Sequence, residues 1–250
     1  MTLLEPAFFE VPTPTGPMRV HRFAPSEPRL FPAAILYSEI FQVTAPIARL
    51  AARLAGEGFE VLVPEVYHEY EAPGAVLAYD QAGSDRGNFL KYEKPVAAFD
   101  GDARALLDWI FARPEYRWKG AGAFGVCLGG HLAFRAALDP RVSAAACFYA
   151  TDLHAASLGQ GKRDDSLARC AGIEAELLMV WGRQDPHVPL EGRKAVYDAL
   201  TAAGRRFQWH EFNAAHAFVR DEGLRYDAAA SRLAFSLVLE LFQRRLAVPR

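Results

Sequence analysis

Cysteine is scarce: Cys127, Cys147 and Cys170 are the only three in 250 residues, an odd number that cannot pair fully within the chain. A disulfide-stapled secreted scaffold is therefore excluded, and reduced thiols are expected. An excess of one charge is missing too, with 28 Lys+Arg against 30 Asp+Glu and a formal net charge of −2. Without a dense basic run, nucleic acid and anionic membrane surfaces have no electrostatic claim as partners. No apolar run reaches the length of a bilayer span. The C-terminal stretch "SRLAFSLVLELFQRRL" is interrupted by Ser236, Glu240 and Gln243 and reads as an amphipathic helix. The start, "MTLLEPAFFEVPTPTG", carries Glu5 and early prolines and no basic region leading into an apolar core, so a cytoplasmic protein is expected. Metal motifs are absent as well. "HEYEA" and "HEFNAAH" lack the second histidine of H-E-x-x-H, and no cysteines have paired spacing, so neither metal nor cofactor is expected.

What is present is a globular composition, 51% hydrophobic and 23% charged. It suits one α/β domain over residues 1–250. "AFFEV" and "MRVHRF" predict a hairpin through the turn-rich "PTPTG". "AAILYSEIF" (33–41) is a nearly continuous apolar run, expected as a buried strand. Thr44 is positioned to cap a following helix with Pro46 in its first turn. Strands are expected at "FEVLVPEV", "GAFGV", "AAACFYA", "ELLMVWG" and "FQWHEF", and helices near 95–112, 129–138, 190–203 and 228–246. Pro114 is expected to stop the helix at 95–112. This alternation predicts right-handed βαβ units and a mostly parallel sheet with helices on both faces. Residues 69–95 and 151–172 show no clean period and are expected as long loops, the kind that often line a site.

"GAGAFG" (120–125) matches G-x-G-x-x-G, but the glycines fall inside the expected strand and the helix begins only after Cys127, which argues against a dinucleotide site. The informative segment is "GVCLGG", G-x-C-x-G with cysteine where G-x-S-x-G has serine. Such an elbow strains its central residue and requires small neighbours. It raises the side chain above the carboxyl edge of the sheet at a helix N-terminus, where amides favour a thiolate. The Leu128 amide then becomes an oxyanion donor. Downstream, Asp185 and His216 each follow a strand end, in the order nucleophile, acid, base. Taken singly, an aspartate before proline is an ordinary turn former and a lone histidine an ordinary surface or core residue; the conjunction points to catalysis. His131 lies within a helix, His187 sits too close to Asp185 in a turn, and His210 is in a strand. Glu39 interrupts an apolar run where its strand should end, either as a carboxylate with a task or as a solvated loop residue.

These residues resemble the dienelactone hydrolases (carboxymethylenebutenolidases), cysteine members of the α/β-hydrolase fold, over nearly the whole chain. "YSEIFQVTAPIARLAARLAGEGFEVLVPEVY", "GAFGVCLGGHLAF", "VWGRQDPHVP" and "AAHAFVR" carry the likeness. The resemblance implies Cys127 as nucleophile, His216 as base and Asp185 as its orienter, with Glu39 contacting the thiol and setting its protonation state. It implies the amides of Ile40 and Leu128 as the oxyanion hole. It also implies arginines that hold a substrate carboxylate: Arg220 matches one, and in the 69–95 segment Arg86 is the candidate, with Lys91 in reserve. The expected function is hydrolysis of a lactone or activated ester through a cysteine thioester, acting on a small molecule with or without a carboxylate and needing no cofactor. Two alternatives remain: a redox-sensing or ligand-binding thiol protein on the same fold, or a broad esterase for neutral esters. The expected oligomeric state is left open between monomer and dimer.

Overall fold

A computed structural model describes residues 1–113 and 120–246. An eight-stranded sheet runs through it in the order β1-β2-β4-β3-β5-β6-β7-β8. The strands are β1 (Ala7–Thr13), β2 (Gly16–Phe23), β3 (Ala33–Tyr37), β4 (Glu60–Pro64), β5 (Ala121–Val126), β6 (Val142–Phe148), β7 (Glu176–Gly182) and β8 (Phe207–Phe212). β1 and β2 form the expected hairpin with Thr13 opposite Gly16, and β2 pairs antiparallel with β4. The remaining neighbours pair in parallel.

The near-continuous apolar runs have the composition of strands covered on both faces. Alternate residues of β3 divide between two cores. Ala34 and Leu36 join Ile47 and Leu54 of α1 (Ala45–Gly56) and Phe235, Val238 and Phe242 of α6 (Ala228–Leu246). Ile35 and Tyr37 join Leu106 and Ile110 of α3 (Val96–Ala112) and Leu132 of α4 (Leu128–Ala136). The same second core takes Val196 and Leu200 of α5 (Leu190–Ala202). The glycines of the spurious nucleotide motif have another use: a Cβ at Gly122 would lie 2.7 Å from Leu246, so its absence lets α6 close onto β5.

Three expectations need correction. β3 ends at Tyr37 rather than at position 41, which puts Glu39 in the following turn. Thr44 precedes α1 but makes no side-chain cap, because its hydroxyl is engaged by Tyr79 at 2.7 Å. The 69–95 segment is not all loop: it contains α2 (Gln81–Glu93), capped by Asp80, whose carboxylate accepts from the Gly83 amide at 2.8 Å. Its buried residues are Gly83, Gly87, Leu90 and Lys91, too small and polar a set to give an apolar stripe. The Pro114 helix stop lies outside the described residues. No helix among the described residues is long and apolar enough to cross a membrane.

Candidate active site

β5 delivers its last residue into a turn that ordinary side chains could not make. Cys127 sits at φ 59°, ψ −121°, between the end of β5 and the first residue of α4. Such a backbone costs about 1–3 kcal/mol and persists only where its surroundings enforce it. Here the Cys127 amide donates to Phe148 O at 3.0 Å, and Cys127 O accepts from Gly130 N at 3.0 Å. A Cβ at Gly125 would fall 1.9 Å from Gly129 O, and one at Gly129 would fall 2.1 Å from Tyr37 O. The flanking glycines are thus demanded by close backbone approach. Leu128 opens α4 and Ile40 follows β3; among the described residues neither amide has an internal acceptor.

Past the end of β7, Asp185 Oδ1 accepts from the His187 amide at 2.8 Å, and Oδ2 accepts from His216 Nδ1 at 2.7 Å. Burial works to raise the Asp185 carboxyl, but the hydrogen bond and charge of His216 and the His187 amide hold it below the ordinary carboxylate range. His216 is 5% exposed. Burial works to lower it, yet the charge of Cys127, the hydrogen bonds to Asp185 and Cys127, and the Asp185 charge together raise it to about 10. With Nδ1 committed to Asp185, Nε2 is the ring atom left for the thiol. The Tyr149 and His187 rings meet the imidazole edge-on at centroid separations of 5.0 and 4.6 Å.

Cys127, His216, Glu39 and Ile40 share the wall of a cavity of about 840 Å³. Glu39 is in the loop, as one expectation had it, but it is 2% exposed rather than solvated. Burial raises its carboxyl, opposed by Arg220, His216 and a hydrogen bond from Tyr79. The Tyr79 hydroxyl donates to Glu39 Oε2 at 3.0 Å, so the Thr44 hydroxyl donates to Tyr79. Arg220 lies 3.8 Å from the same Glu39 oxygen and stacks 4.2 Å above the Tyr79 ring. Behind Ile40, α2 packs so tightly that a Cβ at Gly87 would lie 2.5 Å from Ile40 O, while the Tyr67 hydroxyl donates to Gly87 O at 3.1 Å.

Of the expected substrate contacts, Arg220 lines the cavity and Arg86 does not; Arg86 pairs outward with Glu71 at 2.7 Å, while Lys91, on another face of the same helix, takes a place in the wall. Tyr79, Asp152 and Arg225 also line it and were not singled out in the sequence. The aspartate cap at Asp80 was the readable signal for the helix that carries Lys91. His131 is structural, bonded to Thr151 O and the Ser166 hydroxyl. Among the described residues, one group has the geometry to hold a metal: His68, Glu69 and Asp102. The buried Lys94 ammonium already pairs with both carboxylates there, and none of the three lines the Cys127 cavity.

The model of the family described as "Dienelactone hydrolase family" matches residues 18–246. The chain belongs to the dienelactone hydrolase family. Like other members of this family it is therefore a hydrolase. It is 40% identical over 257 residues to a Saccharomyces cerevisiae protein described as "Putative carboxymethylenebutenolidase", covering 98% of this chain and 94% of that one. It is 27% identical over 205 residues to the carboxymethylenebutenolidase of Pseudomonas putida, covering 81% of each. The fold is shared with a dienelactone hydrolase-like promiscuous phosphotriesterase from metagenomic libraries, at a TM-score of 0.75 and 21% identity over 97% of this chain and 99% of that chain. This dienelactone hydrolase family member thus has the α/β-hydrolase architecture expected of its sequence.

Proposed function

We propose that the protein opens a lactone or cleaves an activated carboxylic ester through a thioester on Cys127. The observation that carries this reading is the buried His216 imidazole, held by Asp185 on one side and raised by Cys127 on the other. The Cys127 thiolate attacks the carbonyl carbon, and the oxyanion takes the free Ile40 and Leu128 amides. In other enzymes the loss of one such donor costs about 10²–10³ in kcat. Collapse breaks the ring or ester C–O bond; the departing oxygen takes the imidazolium proton of His216, leaving the acyl group on sulfur. Neutral His216 then deprotonates a water that attacks the thioester, and collapse returns the thiolate and releases the acid. Asp185 keeps the ring in one tautomer and stabilises each imidazolium.

Arg220 is the contact for a substrate carboxylate, with Glu39 beside it as a buried carboxyl whose ionised form both Arg220 and His216 favour. Activated leaving groups suit a thiolate better than amides do, so esters and lactones precede peptides as substrates.

The test is kinetic. Cys127→Ala is expected to abolish lactone and aryl ester hydrolysis, and His216→Gln to trap the acyl-enzyme or prevent its formation. Wild-type rates in Cys127→Ala would remove the mechanism. Full thiol reactivity without any esterolysis in the wild type would favour the redox or binding role. Arg220→Ala is expected to raise KM for carboxylated substrates and leave neutral esters unchanged; equal effects on both would favour the neutral esterase.

A further inference from the structure

The cavity contains a second charged pair that the chemistry above does not use. Lys91 Nζ and Asp152 Oδ2 meet at 2.8 Å in its wall, with side chains only 7% and 12% exposed. Lys91 comes from α2 and Asp152 from the turn after β6. Asp152 Oδ1 also accepts from the Tyr92 hydroxyl at 3.0 Å and the Ser157 hydroxyl at 3.3 Å. Its backbone has φ 65°, a conformation aspartate and asparagine tolerate better than most residues. Burial opposes the charge of each partner; Asp152 overcomes it for Lys91, raising that amine, and Lys91 and Tyr92 overcome it for Asp152, lowering that carboxyl. This patch of wall is therefore ionised yet neutral in sum.

That distinguishes it from the Arg220 side. A carboxylate seated at Lys91 would gain one ammonium but lie beside the Asp152 charge in a poorly solvated wall. A hydroxyl meets both partners, accepting from Lys91 and donating to Asp152. An aliphatic end would leave the pair without solvent and gain nothing from it. Arg86 is committed to Glu71, so Lys91 is the cation that α2 brings to the cavity wall. We infer that the Lys91–Asp152 pair is a subsite for a hydroxyl group, so that the preferred substrates are lactones or esters carrying one carboxylate and one hydroxyl rather than two carboxylates. The inference rests on the reading of the Cys127 cavity as the hydrolytic site and narrows its substrate class.

Occupancy of the cavity is read without turnover by protection of Cys127 from iodoacetamide, followed by peptide mass spectrometry. The probes are hexanoate, 6-hydroxyhexanoate and adipate, with their four-carbon counterparts butanoate, 4-hydroxybutanoate and succinate. In the wild type the hydroxy acid of at least one length is expected to protect at about tenfold lower concentration than the dicarboxylate, and below the plain acid as well. Lys91→Met removes that advantage. Asp152→Asn, which suits the same backbone conformation, reverses the order in favour of the dicarboxylate because Lys91 is left without a counter-charge. Lys91→Gln checks the result should either variant misfold, and is expected to retain part of the hydroxyl preference. A dicarboxylate that protects as well as the hydroxy acid at both lengths, no protection by any probe, or an order unchanged by the variants overturns the subsite. If the protection order holds while hydrolysis proves independent of Cys127, the hydrolase mechanism falls and the subsite stands. If Cys127-dependent hydrolysis holds while the order fails, the subsite alone falls.

Discussion

Replacing Cys127 by serine should move a titration at a different residue. His216 is 5% exposed, and burial alone would push its imidazolium below the ordinary value of about 6.5. It is instead raised to about 10, with the charge and hydrogen bond of Cys127 acting alongside those of Asp185. A serine hydroxyl occupies nearly the same space but is neutral, so burial is then opposed by Asp185 almost alone. The His216 value should fall from about 10 toward the ordinary value of about 6.5, each whole pH unit of that fall corresponding to about 1.4 kcal/mol of lost imidazolium stabilisation. Proton NMR of the imidazole resonances across a pH series reads the change, with His216→Gln assigning the signal. The same coupling has a stability signature. Because the folded value lies above the unfolded one, the contribution of His216 is complete below its unfolded value of about 6.5. It is lost as pH rises through about 10. Chemical denaturation should therefore show the wild type losing more stability than the serine variant across that window. An imidazole titration unchanged by the substitution would mean that sulfur and ring do not interact, and the proposed nucleophile and base would be separated.

Gly125→Ala should cost about 3 kcal/mol or more, since its Cβ would meet Gly129 O at 1.9 Å; a thermal melt within a degree or two of wild type would refute the enforced turn. Asp185→Asn should keep the bond from the His187 amide but lose the imidazolium's counter-charge, lowering kcat by about 10³–10⁴ with a near-native melting temperature. Tyr79→Phe removes a hydrogen bond that opposes the rise of the Glu39 carboxyl, so the acid limb of the kcat/KM profile should move to higher pH; an unmoved limb would take Glu39 out of the chemistry.

The strands and most helices were legible because both faces of the sheet are covered and each run is long and apolar. The elbow was legible for a related reason: "GVCLGG" records three close backbone approaches in its glycines, and position 127 could be read as exceptional from its neighbours alone. Asp185 and His216 followed from placement after strand ends. The α2 wall was not legible, because it is held by two glycines, one leucine and a lysine that finds Asp152 in a segment far along the chain. A hydrophobic period cannot announce a helix fastened by backbone contact and an ion pair. For the same reason Arg86, the conspicuous charge, was favoured over Lys91, although helical rotation puts Arg86 outside and Lys91 inside. The Thr44 cap failed because a tertiary partner, Tyr79, competes for the same hydroxyl.

The seating of Gly87 on the Ile40 carbonyl ties two parts of the proposed site to one van der Waals contact. The residue whose amide is the proposed oxyanion donor and the helix whose Lys91 is the proposed ligand contact rest on each other, so neither can be retuned in isolation. A single methyl at position 87 would act as a shim between them, shifting the polarising donor and the recognition wall together. Variation that broadens substrate choice therefore has to enter through the outer residues of the helix, leaving this hinge point bare.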